Sequence, residues 1–200
     1  MIAVLTGDVV NSKIENAEVW LQTLKSTLEL YGKTPRDWEV FRGDSFQLVV
    51  SKEKAILASV HIKSAIKQFE DLDVRIGIGL GKQNYKSNQI TESNGPAFVR
   101  SGESFDTLKK QQMILKSDNK TFDDTINLML CLSLLTADRW SPTVAKIIKL
   151  SIENPNLKQK DRADRLNKSQ SSISEALKRG GFDEMMMMNN YYKNRLAELC

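Results

Sequence analysis

The chain has 200 residues, 40% hydrophobic and 27% charged, with a formal net charge of +4. These values suit a soluble globular protein of one or two domains and exclude a disordered or fibrous chain. The longest apolar run, Leu128 to Leu135, is too short to span a bilayer, and the start MIAVLTGDVVNSK lacks the basic leader of a signal peptide, so a cytoplasmic protein is expected.

Ile2–Leu5 is β-branched, apolar and bounded by Gly7, which predicts a buried strand. Ala17, Trp20, Leu21, Leu24, Leu28 and Tyr31 recur at helical spacing, with Gly32 as the stop. Trp38–Phe41 and Phe46–Ser51 flank Arg42-Gly43-Asp44-Ser45 and predict a hairpin. A second helix follows from Ala55 to Phe69, then a strand over Val74–Leu80 in which glycine alternates with apolar residues. Lys82–Gly95 reads as a loop, and helices are expected from Ala97 to Leu108 and from Asp123 to Thr136, the latter largely buried.

The first six elements run strand, helix, strand, strand, helix, strand, the order of a split βαβ or ferredoxin-like unit. A right-handed crossover leaves the first two strands parallel and inserts the third between them. Asp8, expected just beyond the first strand, and Asp44, in the hairpin, are thereby brought together. Their carboxylates suit Mg²⁺, a hard ion that often takes one or two carboxylates and completes its shell with water and phosphate. Backbone amides of Val10, Asn11 and Ser12, expected to open the next helix, could hold phosphate oxygens. Gly43 permits a tight turn, and Arg42 could face a phosphate or pair with Asp44. Simple capping and turn roles for the two aspartates are the competing reading. Gly77, Gly79 and Gly81 share one face of their strand and point to close packing rather than to a dinucleotide loop. His61, the only histidine, reads as structural or exposed, and two cysteines, Cys131 and Cys200, make no disulfide framework.

A boundary is expected near Asp138–Pro142, with Ser141 capping a new helix that has Pro142 in its first turn. This divides the chain into 1–138 and 139–200. Residues 1–140 carry 18 Lys/Arg and 18 Asp/Glu, whereas 141–200 carry 11 and 7, so the excess positive charge is C-terminal. Helices are expected over Thr143–Ile152, Gln159–Leu166, Ser169–Arg179 and Asp183–Leu199. The pair around Asn167 fits a helix-turn-helix, with Ala163 and Ile173 inside, and Leu166 and Leu177 completing its small core. Asn167 stands where a left-handed turn is needed, and Ser169 caps the second helix. Gln170, Ser171, Ser174 and Lys178 then face outward as readers of duplex DNA. Lys168, Arg179, Arg162 and Arg165 are the phosphate-contact candidates. An amphipathic hairpin with a solvated charged face is the alternative. Met185, Met188, Tyr192, Leu196 and Leu199 form a stripe that either packs on its own domain or forms the seam of a homodimer.

The segments TGDVVNSK and WEVFRGDSFQL resemble the palm-like catalytic domain of class III nucleotidyl cyclases and diguanylate cyclases. Together with RIGIGLG, ITESNGPAFVRSGESFD and the helical C-terminus, they resemble the SatD family along essentially the whole chain. The cyclase resemblance implies metal ligation by Asp8 and Asp44, with a backbone carbonyl from Val9. It departs from the cyclase pattern at Pro96, four residues before Arg100, where an Asn is usual. The expected fold class is therefore α+β: a ferredoxin-like, palm-like βαββαβ domain and then a small all-α helix-turn-helix domain. The expected function is a DNA-binding transcriptional regulator sensing a nucleotide or related phosphorylated ligand, with a nucleotidyl cyclase or nucleotidyltransferase as the alternative.

Overall fold

The computed structural model describes residues 1–13, 17–109 and 112–198. An N-terminal mixed five-stranded sheet with helices is followed by an all-helical region. Strand β1 (Ile2–Val10) precedes helix α1 (Ala17–Glu29), then β2 (Trp38–Phe41), β3 (Ser45–Ser51), α2 (Ala55–Ile66) and β4 (Asp73–Gly81). Next come α3 (Pro96–Thr107), β5 (Met113–Lys116) and α4 (Lys120–Ala137). The C-terminal helices are α5 (Pro142–Glu153), α6 (Gln159–Leu166), α7 (Gln170–Arg179) and α8 (Phe182–Glu198). No helix among the described residues is long and apolar enough to cross a membrane.

The sheet order is β2-β3-β1-β4-β5, with every pairing antiparallel except β4 with β5. The first four strands thus take the order expected of the split βαβ unit, with β3 between β1 and β2. Side chains alternate across each strand. One face presents Leu5, Val9, Phe46, Leu48, Ile76 and Ile78 to α1 and α2, where Trp20, Leu24, Leu28 and Ile62 are fully buried. The other face carries α3. A Cβ on Gly77 or Gly79 would overlap the α3 backbone at Ser101, Phe105 or Ala97, so the glycine alternation is the packing surface for this helix.

Three expectations are corrected. The first strand does not stop at Leu5: β1 runs to Val10, because Thr6 to Asp8 pair with both β3 and β4, and Val9 and Val10 favour extended backbone. Asp8 therefore stands inside the strand. The fifth strand, β5, lay unread in a short four-residue segment, Met-Ile-Leu-Lys; Asn127 of α4 covers its edge by bonding both the Leu115 N–H (2.7 Å) and its carbonyl (2.8 Å). Finally, α4 buries only Phe122, Ile126, Leu130, Leu134 and Ala137, leaves Met129 half-buried, and exposes Leu128, Cys131, Leu132 and Leu135.

The C-terminal helices pack back on α2, which is buried all round. Lys63 of α2, itself buried, bridges Asp73 (2.6 Å) at the start of β4 and Asp138 (2.7 Å) at the end of α4. His61 lies between the Tyr31 hydroxyl (2.9 Å) and Glu153 of α5 (3.2 Å), the structural role expected of it. Tyr192 of α8 donates to the Lys52 carbonyl (2.6 Å). Met185, Met188, Tyr192 and Leu196 are buried in this packing, so the described part of the α8 stripe packs on its own chain. Leu199 lies outside the described residues.

Candidate functional site: a two-aspartate cleft beside β1 and an exposed helix face

The C-terminal end of β1 forms one wall of an open cleft of about 550 Å³. Asp8 and Asp44 both line it, although they are 36 positions apart in sequence. Antiparallel register sets Asp8 opposite Ser45 on β3 and opposite Arg75 on β4. Arg75 grips Asp8 with two parallel bonds, Nε to Oδ1 at 2.9 Å and a terminal nitrogen to Oδ2 at 2.5 Å. The hydrogen bonds to Asp8 raise the pKa of the Arg75 guanidinium, which also lies over the Phe105 ring at 5.5 Å.

Asp44 is held differently. Its Oδ2 accepts from the Ser12 hydroxyl (2.7 Å), its Oδ1 receives only a long contact from Ser45 (3.4 Å), and its carbonyl accepts from the Val9 N–H (3.1 Å). Asn11 takes the left-handed conformation, φ 62°, which asparagine tolerates, and its amide donates to the Asp71 carbonyl at 2.9 Å. Val10, Asn11 and Ser12 all line the cleft, but as a strand end and a turn. Val10 is the last residue of β1 and Asn11 and Ser12 lie in a turn, so these three amides are not themselves in a helix. Arg42 (φ 54°) and Gly43 (φ 92°) form the exposed hairpin tip and stand outside the cleft lining.

Four lining residues escaped the sequence reading: Lys13, Arg75, Lys109 and Gln112. With them the cleft carries three cations against two carboxylates. Arg75 was within reach of inference, because it is a lone charge in an apolar strand that the expected topology sets antiparallel beside Asp8. Lys109 and Gln112 depend on how the chain leaves α3 for β5, which no local pattern encodes. Gln112 lines the cleft, and its side-chain oxygen is buried without a hydrogen-bond partner among the described residues, an unusual state for a buried acceptor.

Among the described residues no three His, Cys, Asp or Glu side chains converge on one point, and both Asp8 oxygens are taken by Arg75. The donor set suits an anionic ligand better than a bare cation.

Arg100 is elsewhere: it donates to the Leu80 carbonyl (2.7 Å), and Leu80 pairs with Ala3, five strand positions and about 17 Å along β1 from Asp8. Ser93 and Glu92 brace their own loop through the Ser87 N–H (3.0 Å) and the Ser87 hydroxyl (2.7 Å). Both fall in the Lys82–Gly95 segment, which is expected to be a loop.

The second site candidate is the α6–α7 hairpin. Asn167 is left-handed (φ 51°, ψ 48°) and closes α6, and the Ser169 hydroxyl accepts from the Ser172 N–H at 3.1 Å. Both features match expectation. Ala163, Ile173 and Ala176 are buried between the helices and α5, with Leu166 and Leu177 partly buried beside them. Gln170, Ser171, Ser174 and Lys178 are exposed within about a 100° sector facing away from that core, and Lys168 and Arg179 are exposed nearby. Arg162 instead donates to the carbonyls of Asn154 (3.2 Å) and Pro155 (3.3 Å), and Arg165 to the Asn154 side chain (3.1 Å). These two arginines brace the α5–α6 turn.

The family model for the SatD family matches residues 1–196. The chain belongs to the SatD family. Searches of curated proteins and of solved structures returned no match.

Proposed function

We propose that this SatD-family chain is a DNA-binding regulator whose N-terminal cleft holds a nucleotide or a related phosphorylated ligand. The observation that carries the reading is the meeting of Asp8, Asp44, Arg75, Lys13 and Lys109 in one open cleft with an unpartnered Gln112 acceptor. A phosphate group satisfies the three cations, and a ligand hydroxyl or amino group satisfies Gln112. In this reading residues 1–138 are a palm-like, cyclase-like sensing domain and residues 139–200 a helix-turn-helix reader.

Mg²⁺ enters only with the ligand. Were a phosphate to draw Arg75 away, Asp8, Asp44 and the Val9 carbonyl would be the groups to hold a cation, which would offset charge on the phosphate. Arg75 then acts as the exchange point, bound to Asp8 in the empty cleft and to phosphate in the filled one. The transferase reading is weaker, because Arg100, the group that would stabilise charge on a transferring phosphate, is bonded to backbone at the far end of the sheet.

DNA contact falls to the exposed face of α7. Gln170 and Ser171 reach base edges while Lys168, Lys178 and Arg179 meet phosphates. Gel-shift titration at several salt concentrations tests this. Binding should weaken steeply as salt rises and should fail after Gln170→Ala with Ser171→Ala and Lys178→Ala; retention by the triple variant excludes α7 as the reader. A thermal-shift screen of nucleotides with and without Mg²⁺ should find a ligand that raises the melting temperature with its saturation.

A further inference from the structure

The outward side of α4 is apolar where a solvated helix ordinarily carries charge. Leu128, Leu132 and Leu135 are 61%, 58% and 64% exposed, and Cys131 between them is exposed. Spacings of three and four put them on one helix face. The neighbouring helix α8, in contact with α4 through the Ser133 hydroxyl and the Met188 sulfur at 3.3 Å, carries two more exposed apolar side chains, Met187 and Tyr191. A group of large exposed side chains of this kind marks an interaction surface.

We propose that this face joins a second copy of the chain, with the two α4 helices antiparallel about a two-fold axis lying between Cys131 and Leu132. The residue pattern is self-complementary about that axis. It sets Leu128 against Leu135 of the partner subunit and Cys131 against Leu132 of the partner subunit. It also sets Asp124 against Arg139 of the partner subunit at each end. Asp124 is exposed on the leucine face of α4, Arg139 is exposed in the turn that follows the helix, and neither has an ion-pair partner among the described residues. A parallel two-fold pair would instead oppose Asp124 to Asp124 and Arg139 to Arg139, so charge selects the antiparallel arrangement. An apolar centre closed by opposite charges is the usual anatomy of a protein interface. The surface lies apart from the β1 cleft, and at its α7 side Leu132 lines a groove with Lys178 and Arg179.

Sedimentation equilibrium of the full chain, under reducing conditions and over a concentration series, tests the proposal. The native chain should dimerise, and Leu132→Asp, a change at an exposed position that leaves the fold intact by circular dichroism, should weaken the dimer on the order of tenfold or more. Asp124→Arg and Arg139→Asp should each weaken association, and the double variant should restore it. In a Cys200→Ser background, a short bis-maleimide should link two chains through Cys131. A native chain that remains monomeric throughout the series, a dimer indifferent to Leu132→Asp, or a double charge variant that fails to recover overturns the proposal.

Discussion

Gly79 has no room for a methyl group: a Cβ there would overlap the Ala97 carbonyl and the Ser101 amide of α3. Gly79→Ala should destabilise the protein by about 1–3 kcal/mol in urea unfolding, as overpacking against backbone usually does. Gly102, inside α3 with no neighbouring atom near its would-be Cβ, makes the opposite case. Gly102→Ala should stabilise by roughly 0.5–1 kcal/mol through helix propensity, measured in the same way. Glu153 supplies a pH dependence. Burial pushes its carboxyl up, but the hydrogen bonds from His61 and Lys149 and their charges outweigh this and hold it down from 4.5 to about 2. Folding therefore favours the ionised form. Its contribution is fully present above about pH 4.5 and is lost as pH falls towards about 2. Unfolding free energies at pH 6 and pH 3 should differ less in Glu153→Gln than in the native chain; an equal difference removes Glu153 from the acid sensitivity.

At the scale of elements, α7 depends on its first turn. The Ser169 hydroxyl satisfies the otherwise orphaned Ser172 amide, so Ser169→Ala should cost about 1 kcal/mol in stability. The same substitution should leave binding at the β1 cleft unchanged, which a ligand titration beside the unfolding curve would check. The elements were legible where period and punctuation agree. The α1 pattern ends before Gly32, the hairpin is written in Arg-Gly-Asp-Ser, and Asn167 and Ser169 mark the α6–α7 turn. Legibility failed where a tertiary partner decides. The second half of β1 is a strand because β3 and β4 lie on both sides of it, although Gly7, Asp8 and Asn11 look like a turn in isolation. The four residues of β5 carry too little periodicity to announce a strand. In α4 the surplus of leucine reads as burial, but one face of the helix is uncovered among the described residues. Asp8 and Asp44 were legible as neighbours from topology; Arg75, which binds one of them, follows only from the residue register between β1 and β4.

The whole molecule has one hydrophobic cluster that runs from the sheet through α2 into α5, α7 and α8. Lys63 fastens the start of β4 to the end of α4, two residues along β4 from Arg75. Lys63→Ala removes the ammonium shared by Asp73 and Asp138, but Asp73 keeps Lys67 (3.6 Å) and the Val74 N–H (2.7 Å), so the change should cost about 1–3 kcal/mol. Because the core is continuous, fluorescence and far-ultraviolet circular dichroism should report the same urea midpoint for the N-terminal sheet and the C-terminal helices. Separate transitions would show two independently folding parts.

The account rests above all on the β1 cleft, with its three cations and two aspartates, as a site for phosphorylated ligands. Calorimetric titration of the native chain with nucleoside triphosphates and Mg²⁺ tests that claim most directly. The account predicts saturable binding that weakens at least tenfold in Arg75→Ala and in the Asp8→Ala, Asp44→Ala double variant. Absence of binding by the native chain, or equal affinity in these variants, would contradict it.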